Sequence, residues 1–137
     1  MKAHWMTPVH HDGILYGSSG SGSGDAQLRA LELLTGKVLW QHPGLGRSTL
    51  LYADGHLIVL TEFGTLLVVR ATPAGYQPVS ELTLQGAAGS GEEHRLLKHP
   101  AWTPPILAQG RLYARGADRL VCLDLRRHRA VDGLSLQ

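Results

Sequence analysis

From Leu28 to Leu33 the apolar-rich chain divides into two alternating sets, with Leu28, Ala30 and Glu32 on one parity and Arg29, Leu31 and Leu33 on the other. A period of two fits a strand, and Thr35-Gly36-Lys37 then turns the chain into a second strand, Val38 to Trp40. Gly36 supplies the positive φ of that turn. A helix is the competing reading, because Asp25 is a good cap and Ala26, Leu28, Ala30, Leu31, Leu33 and Leu34 are good helix formers. Repetition decides between them, since a helix here leaves the other copies of the pattern unexplained.

The phrase that repeats is an apolar run, a two-residue turn and a second apolar run. It occurs as Thr7-Pro8-Val9, Asp12-Gly13 and Ile14-Leu15-Tyr16, and again as Thr49 to Ala53, Asp54-Gly55 and His56 to Leu60. A third copy runs from Thr103-Pro104-Pro105-Ile106 through Gln109-Gly110 to Arg111-Leu112-Tyr113. Asp-Gly between apolar runs is a strong hairpin signal. The step from Gly13 to Gly55 falls inside the roughly 40 to 45 residues of a four-stranded propeller blade; the step from Gly55 to Gly110 is longer because an insertion intervenes. Later strands are predicted at Leu66 to Ala71 and Val79 to Leu84 in the second copy, and at Arg119 to Leu125 in the third. The expected fold is all-β: about three four-stranded antiparallel blades of a partial β-propeller. Residues 1–44 form the first blade, 45–86 the second, 87–99 an insertion, and 100–137 an incomplete third. Its last segment, Ala130 to Leu136, reads as a ragged edge strand or a frayed end.

Two stretches interrupt the repeat. Gly17 to Gly24, glycine and serine throughout, reads as a mobile and dispensable loop. It meets neither dinucleotide nor P-loop spacing. Gly86 to His99 reads as a helical turn or as a flap over one end of the blades.

Composition adds exclusions. Thirteen basic and eleven acidic residues give a net charge of +2, too balanced to demand nucleic acid or a membrane surface. No apolar run is long enough for a membrane helix and no signal peptide is visible. Arg111, Arg115, Arg119, Arg126, Arg127 and Arg129 interleave with Asp118, Asp124 and Asp132, which reads as a solvated rim in preference to a phosphate groove. Cys122 is the single cysteine, so no intramolecular disulfide forms, and it reads as a buried structural thiol.

The hairpin from Ala30 to Trp40 resembles the tryptophan-docking repeat of the pyrroloquinoline-quinone (PQQ) quinoprotein propellers, Ala-x-Asp-x-x-x-Gly-x-x-x-Trp. Ala30, Gly36 and Trp40 match, and Glu32 stands for the Asp. Thr7-Pro8-Val9, Gly44-Leu45-Gly46, Leu57 to Leu60, Ala71-Thr72-Pro73 and Trp102 to Asp124 extend the similarity to PQQ-binding-like repeat proteins, a broad bacterial group. The resemblance implies that the Trp40 indole packs flat between neighbouring blades while its N–H meets a backbone acceptor. It implies a ring of about seven or eight blades, of which this chain would be a C-terminal part, and a periplasmic or secreted location. The second repeat lacks the Trp, and the third has Arg126-Arg127-His128 at the turn.

A quinoprotein dehydrogenase would require an Asp base, a calcium held by acidic and amide oxygens, a Trp platform and often a vicinal cysteine pair; this chain has no Asn and one Cys. Among the eight histidines, His4, His10 and a distant His99 are the candidate zinc or copper ligands. Adjacent His10 and His11 point to opposite strand faces, which argues against both holding one metal. Ser48-Thr49, Glu62 and Glu81 have no nucleophile-base spacing, and Trp5 and Trp102, at similar offsets before Thr-Pro, read as matching core or rim aromatics. The expectation is therefore a non-catalytic binding or scaffold module with no catalytic or metal site and no cofactor of its own. Its structural residues are Trp40, Gly36, Gly13, Gly55 and Gly110. Its partners are the remaining blades of a longer propeller or a second copy, without nucleic acid or membrane insertion. The alternative is the terminal portion of a PQQ-dependent alcohol or sugar oxidoreductase, with PQQ and calcium.

Overall fold

A computed structural model describes residues 1–86 and 92–126. The described chain is all-β and forms three antiparallel meanders. The first sheet contains β1 (Val9–His11), β2 (Ile14–Ser19), β3 (Gln27–Glu32) and β4 (Val38–Pro43) in sequence order. The second contains β5 (Ser48–Ala53), β6 (His56–Thr61), β7 (Thr65–Arg70) and β8 (Pro78–Thr83). The third has three described strands, β9 (Ile106–Ala108), β10 (Arg111–Arg115) and β11 (Leu120–Asp124). The stretch that competed as a helix is strand β3, and the sole helical element among the described residues is a 3-10 turn at Glu92–His94. The segment Ala130 to Leu136, with Arg127, His128, Arg129 and Asp132, lies outside the described residues.

The first hairpin of each sheet turns on the same two-residue device. Asp12-Gly13, Asp54-Gly55 and Gln109-Gly110 have paired positive φ angles of 47° and 75°, 45° and 72°, and 50° and 73°. Two left-handed residues in a two-residue loop make the turn whose twist matches the flanking strands. Gly36, with φ 71°, closes the β3–β4 connection by donating its N–H to the Glu32 carbonyl.

Alternation decides which face each side chain covers. Tyr16, Leu28, Ala30 and Trp40 from the first sheet meet Leu50, Leu57, Val59, Leu67 and Val69 from the second in one core. The opposite parity of the second sheet, Ile58, Leu60 and Leu66, meets Leu112 and Ala114 of the third, with Leu97 and Ala101 between them, in another. The middle sheet is thus buried on both faces, which accounts for the unbroken apolar runs Leu57 to Leu60 and Leu66 to Val69.

Trp40 ties the first two sheets together. It is 9% exposed, and its Nε1 donates to the Thr72 carbonyl at 2.8 Å. Tyr16 lies at 6.1 Å and 45° to the indole, and Tyr76 at 6.2 Å and 64°, so the neighbouring rings meet it tilted and edge-on. In the second sheet the same bulge occurs between Val68 and Val69, and the register puts Ser80 where Trp40 stands. With no indole to dock, β8 is exposed over most of its length.

Two expectations need correction. Gly17, Ser18 and Ser19 are not loop but the buried end of β2. The Ser18 hydroxyl accepts the Ser48 N–H and the Ser19 hydroxyl accepts the Lys2 N–H, while a Cβ on Gly17 would meet the Met1 sulfur at 2.9 Å. Small side chains there allow close approach, so only the part beyond Ser19 is loop, and Asp25 organises it by accepting the N–H groups of Ser21 and Gly22. Cys122 is exposed, because its parity is opposite to that of Val121 and Leu123, which face the second core.

Candidate functional site

Antiparallel meanders send their connections to two ends. The Asp12-Gly13, Gly36, Asp54-Gly55 and Gln109-Gly110 turns occupy one end; residues 1–8, 20–26, 44–47, 62–64, 92–105 and 116–119 gather at the other. The chemistry-bearing side chains are concentrated at this second end.

Its centre is an ion pair set by strand register. Ser48 on β5 opposes Thr61 on β6, so Arg47 and Glu62 continue the ladder one residue further, with the Glu62 N–H bonding the Arg47 carbonyl at 2.9 Å. The Glu62 side chain then folds back: Oε1 accepts the Arg47 N–H at 2.7 Å, and Oε2 accepts Nε at 3.0 Å and Nη2 at 2.6 Å. Glu62 is fully buried. Burial alone pushes its pKa up, but the Arg47 guanidinium and N–H, with the Ser23 hydroxyl, outweigh it and hold the carboxyl down at about 2. The same hydrogen bonds to Glu62 push the Arg47 pKa up.

Aromatic rings cover the guanidinium. The Arg47 Cζ lies 4.8 Å from the Trp5 ring centroid and 5.1 Å from that of Trp102, and the two indoles are 5.1 Å apart. The indoles come from segments on either side of the middle sheet, so one guanidinium binds the approaches to the first and third sheets. The His4 ring meets Trp5 tilted, at 4.2 Å and 51°. On the other side of Glu62, His99 Nε2 is 3.5 Å from Oε2, and the His99 ring stacks on Phe63 at 5.6 Å.

A strap, residues 95–101, carries His99 and is held from two sides. The Ala101 N–H bonds the Glu62 carbonyl at 2.9 Å and the Ala117 N–H bonds the Lys98 carbonyl at 3.0 Å. Leu97 is buried against Gly64, where a Cβ would stand 1.7 Å from the Leu97 carbonyl oxygen and φ is +85°. A side chain at Gly64 would therefore expel the strap. Phe63, Arg95, Lys98 and His99 line an open concavity of about 410 Å³ beside it.

The sequence-derived candidates separate in space. His10 sits near the opposite end, where its Nε2 accepts the Gly13 N–H, and His11 on the other face of β1 stacks on Tyr52 at 4.2 Å. Among the described residues no three His, Cys, Asp or Glu side chains come together as a metal site. The acidic and amide oxygens of a calcium site are not assembled among the described residues either, since the buried carboxylate is already paired with Arg47 and the chain has no Asn. Arg111 and Arg126 pair with Asp124, and Arg119 pairs with Asp118. Arg47, Glu62, Phe63, Arg95 and Lys98 were not singled out by motif; the signal available was two opposite charges flanking one predicted hairpin.

No family model matches the chain, and no curated protein is significantly similar to it.

Proposed function

We propose that the three sheets are successive blades of a β-propeller of the PQQ-binding-like type, and that the chain is a non-catalytic binding or scaffold module working through its two end sheets. The observation that carries this reading is a half-used clamp. Met1 to Met6 crosses the first sheet as the strap crosses the third: the Gly20 N–H bonds the Lys2 carbonyl at 3.0 Å, as the Ala117 N–H bonds the Lys98 carbonyl. The strap at 95–101 is gripped on its far side by Gly64 of the preceding sheet. Met1 and Lys2 are exposed, and this surface is where a further blade, from a longer chain or a second copy, would seat.

The chemistry of the site supports binding over catalysis. A general base works best with a pKa near the operating pH, and Glu62, at about 2 with Arg47 on both its oxygens, is committed to structure. The outer face of the third sheet presents Ile106 and Leu120, 61% and 65% exposed, beside Tyr113 and Cys122. At roughly 25 cal/mol per Å², covering a few hundred Å² of such surface is worth several kcal/mol.

The isolated chain is accordingly expected to self-associate in sedimentation velocity at micromolar concentration. Ile106→Lys combined with Leu120→Lys should return it to monomer with its circular dichroism unchanged. A parent chain that sediments as a folded monomer throughout that range would overturn the reading of the end sheets.

A further inference from the structure

We propose that the concavity lined by Phe63, Arg95, Lys98 and His99 binds the oxyanion of a small molecule, a carboxylate or a phosphate, with the body of that molecule lying over the Phe63 and His99 rings. It stands apart from the end faces of the sheet stack, so it holds or fails independently of the blade reading. The volume of about 410 Å³ suits a small ligand. Two cationic side chains and an imidazole line it, with one aromatic ring and no carboxylate among the described lining residues.

The groups are held in place before any ligand arrives. Arg95 spends one donor, Nη1, on the Phe63 carbonyl at 2.8 Å; its planar fork has four more N–H groups suited to paired oxygens. Lys98 stands on backbone fixed by the Ala117 N–H and packed against Gly116. His99 is fixed by its stack on Phe63 at 5.6 Å. Preorganised donors bind more tightly than mobile ones because less freedom is lost on association.

The surrounding charges leave the concavity positive. Glu62, the carboxylate nearest His99, is neutralised by Arg47 at 2.6 Å. Asp118 feels Lys98 but is paired with Arg119 at 3.0 Å, and the Glu93 carboxylate is 73% exposed, where water screens its charge. Gathering Arg95 and Lys98 around one hollow is unfavourable without an anion between them and becomes favourable with one.

Phe63 is the only phenylalanine, so fluorophenylalanine labelling places a single 19F reporter at the site. Phenyl phosphate and benzoate are expected to shift that resonance with Kd on the order of 1 mM, inorganic phosphate to bind more weakly, and phenol to leave it unmoved. Whichever of the two aromatic anions binds more tightly identifies the headgroup. Arg95→Gln and Lys98→Gln should each weaken phenyl phosphate about tenfold, the loss of one charge-assisted hydrogen bond. Lys37→Gln, at the opposite end, should change nothing. No shift with either anion at about 20 mM, equal binding of phenol, or equal weakening by Lys37→Gln would each overturn the assignment.

Discussion

Trp40→Ala is expected to lose about 3 to 5 kcal/mol of unfolding free energy, the range for deleting a large buried aromatic. The indole lies in the core shared by the first two sheets, between Tyr16 and Tyr76, and its removal also leaves the Thr72 carbonyl without its donor. Trp40→Phe separates these effects. It keeps most of the apolar volume and loses the N–H, so about 1 to 2 kcal/mol should go with the hydrogen bond and the imperfect fit. Urea unfolding followed by circular dichroism measures both; a Trp40→Ala protein within half a kcal/mol of the parent, on the order of an ordinary surface change, would mean that the indole does not join the sheets.

The second large effect is expected at Glu62, and it depends on pH. The folded carboxyl lies at about 2 against an ordinary value of 4.5. A depressed folded pKa contributes stability that is fully present above the unfolded value and is lost as the pH falls through the folded one. That contribution, on the order of 3 kcal/mol, should therefore be intact at pH 7 and disappear between about pH 4.5 and pH 2. Glu62→Gln should remove it at every pH, because it leaves the Arg47 guanidinium without its counter-charge. The difference in stability between parent and variant should thus narrow on acidification. Asp25, Asp118 and Asp124, whose pKa values are also lowered, titrate in both proteins and cancel in that difference. A difference independent of pH would show that Glu62 acts through packing alone.

What sequence reasoning could reach was whatever is local. Two-residue turns with Asp-Gly or Gln-Gly, a period of two in Leu28 to Leu33, and an indole four residues beyond Gly36 each act over a few residues, and the sheets follow from them. Burial on both faces of the middle sheet was also written locally, as the unbroken runs Leu57 to Leu60 and Leu66 to Val69, although without knowing the stacking order those runs say only that something lies on each side. Glycine misled in one place. At Gly17 it marks close approach of the chain at Met1, whereas in the loop beyond Ser19 it marks a bend, and composition cannot distinguish the two. The site was the least legible part. Arg47 and Glu62 become partners through register, and Trp5 and Trp102 become neighbours through the stacking of sheets, neither of which leaves a spacing motif.

Pairing strands only with their sequence neighbours within a sheet also orders events in time. The described strands of each sheet follow one another in sequence, so the first and second sheets can each form as soon as their last strand has left the ribosome, before the next sheet is synthesised. Contacts that cross between sheets must wait: the Trp40 bond to Thr72, and the seating of Trp102 over Arg47 after Trp5 is already present. Amide protection within β2 and β3 should accordingly appear earlier in refolding than protection of Ala101 and Ala117, the two N–H groups that hold the strap. Pulse-labelled hydrogen exchange reads that order directly, and simultaneous protection would show that the three sheets condense as one unit.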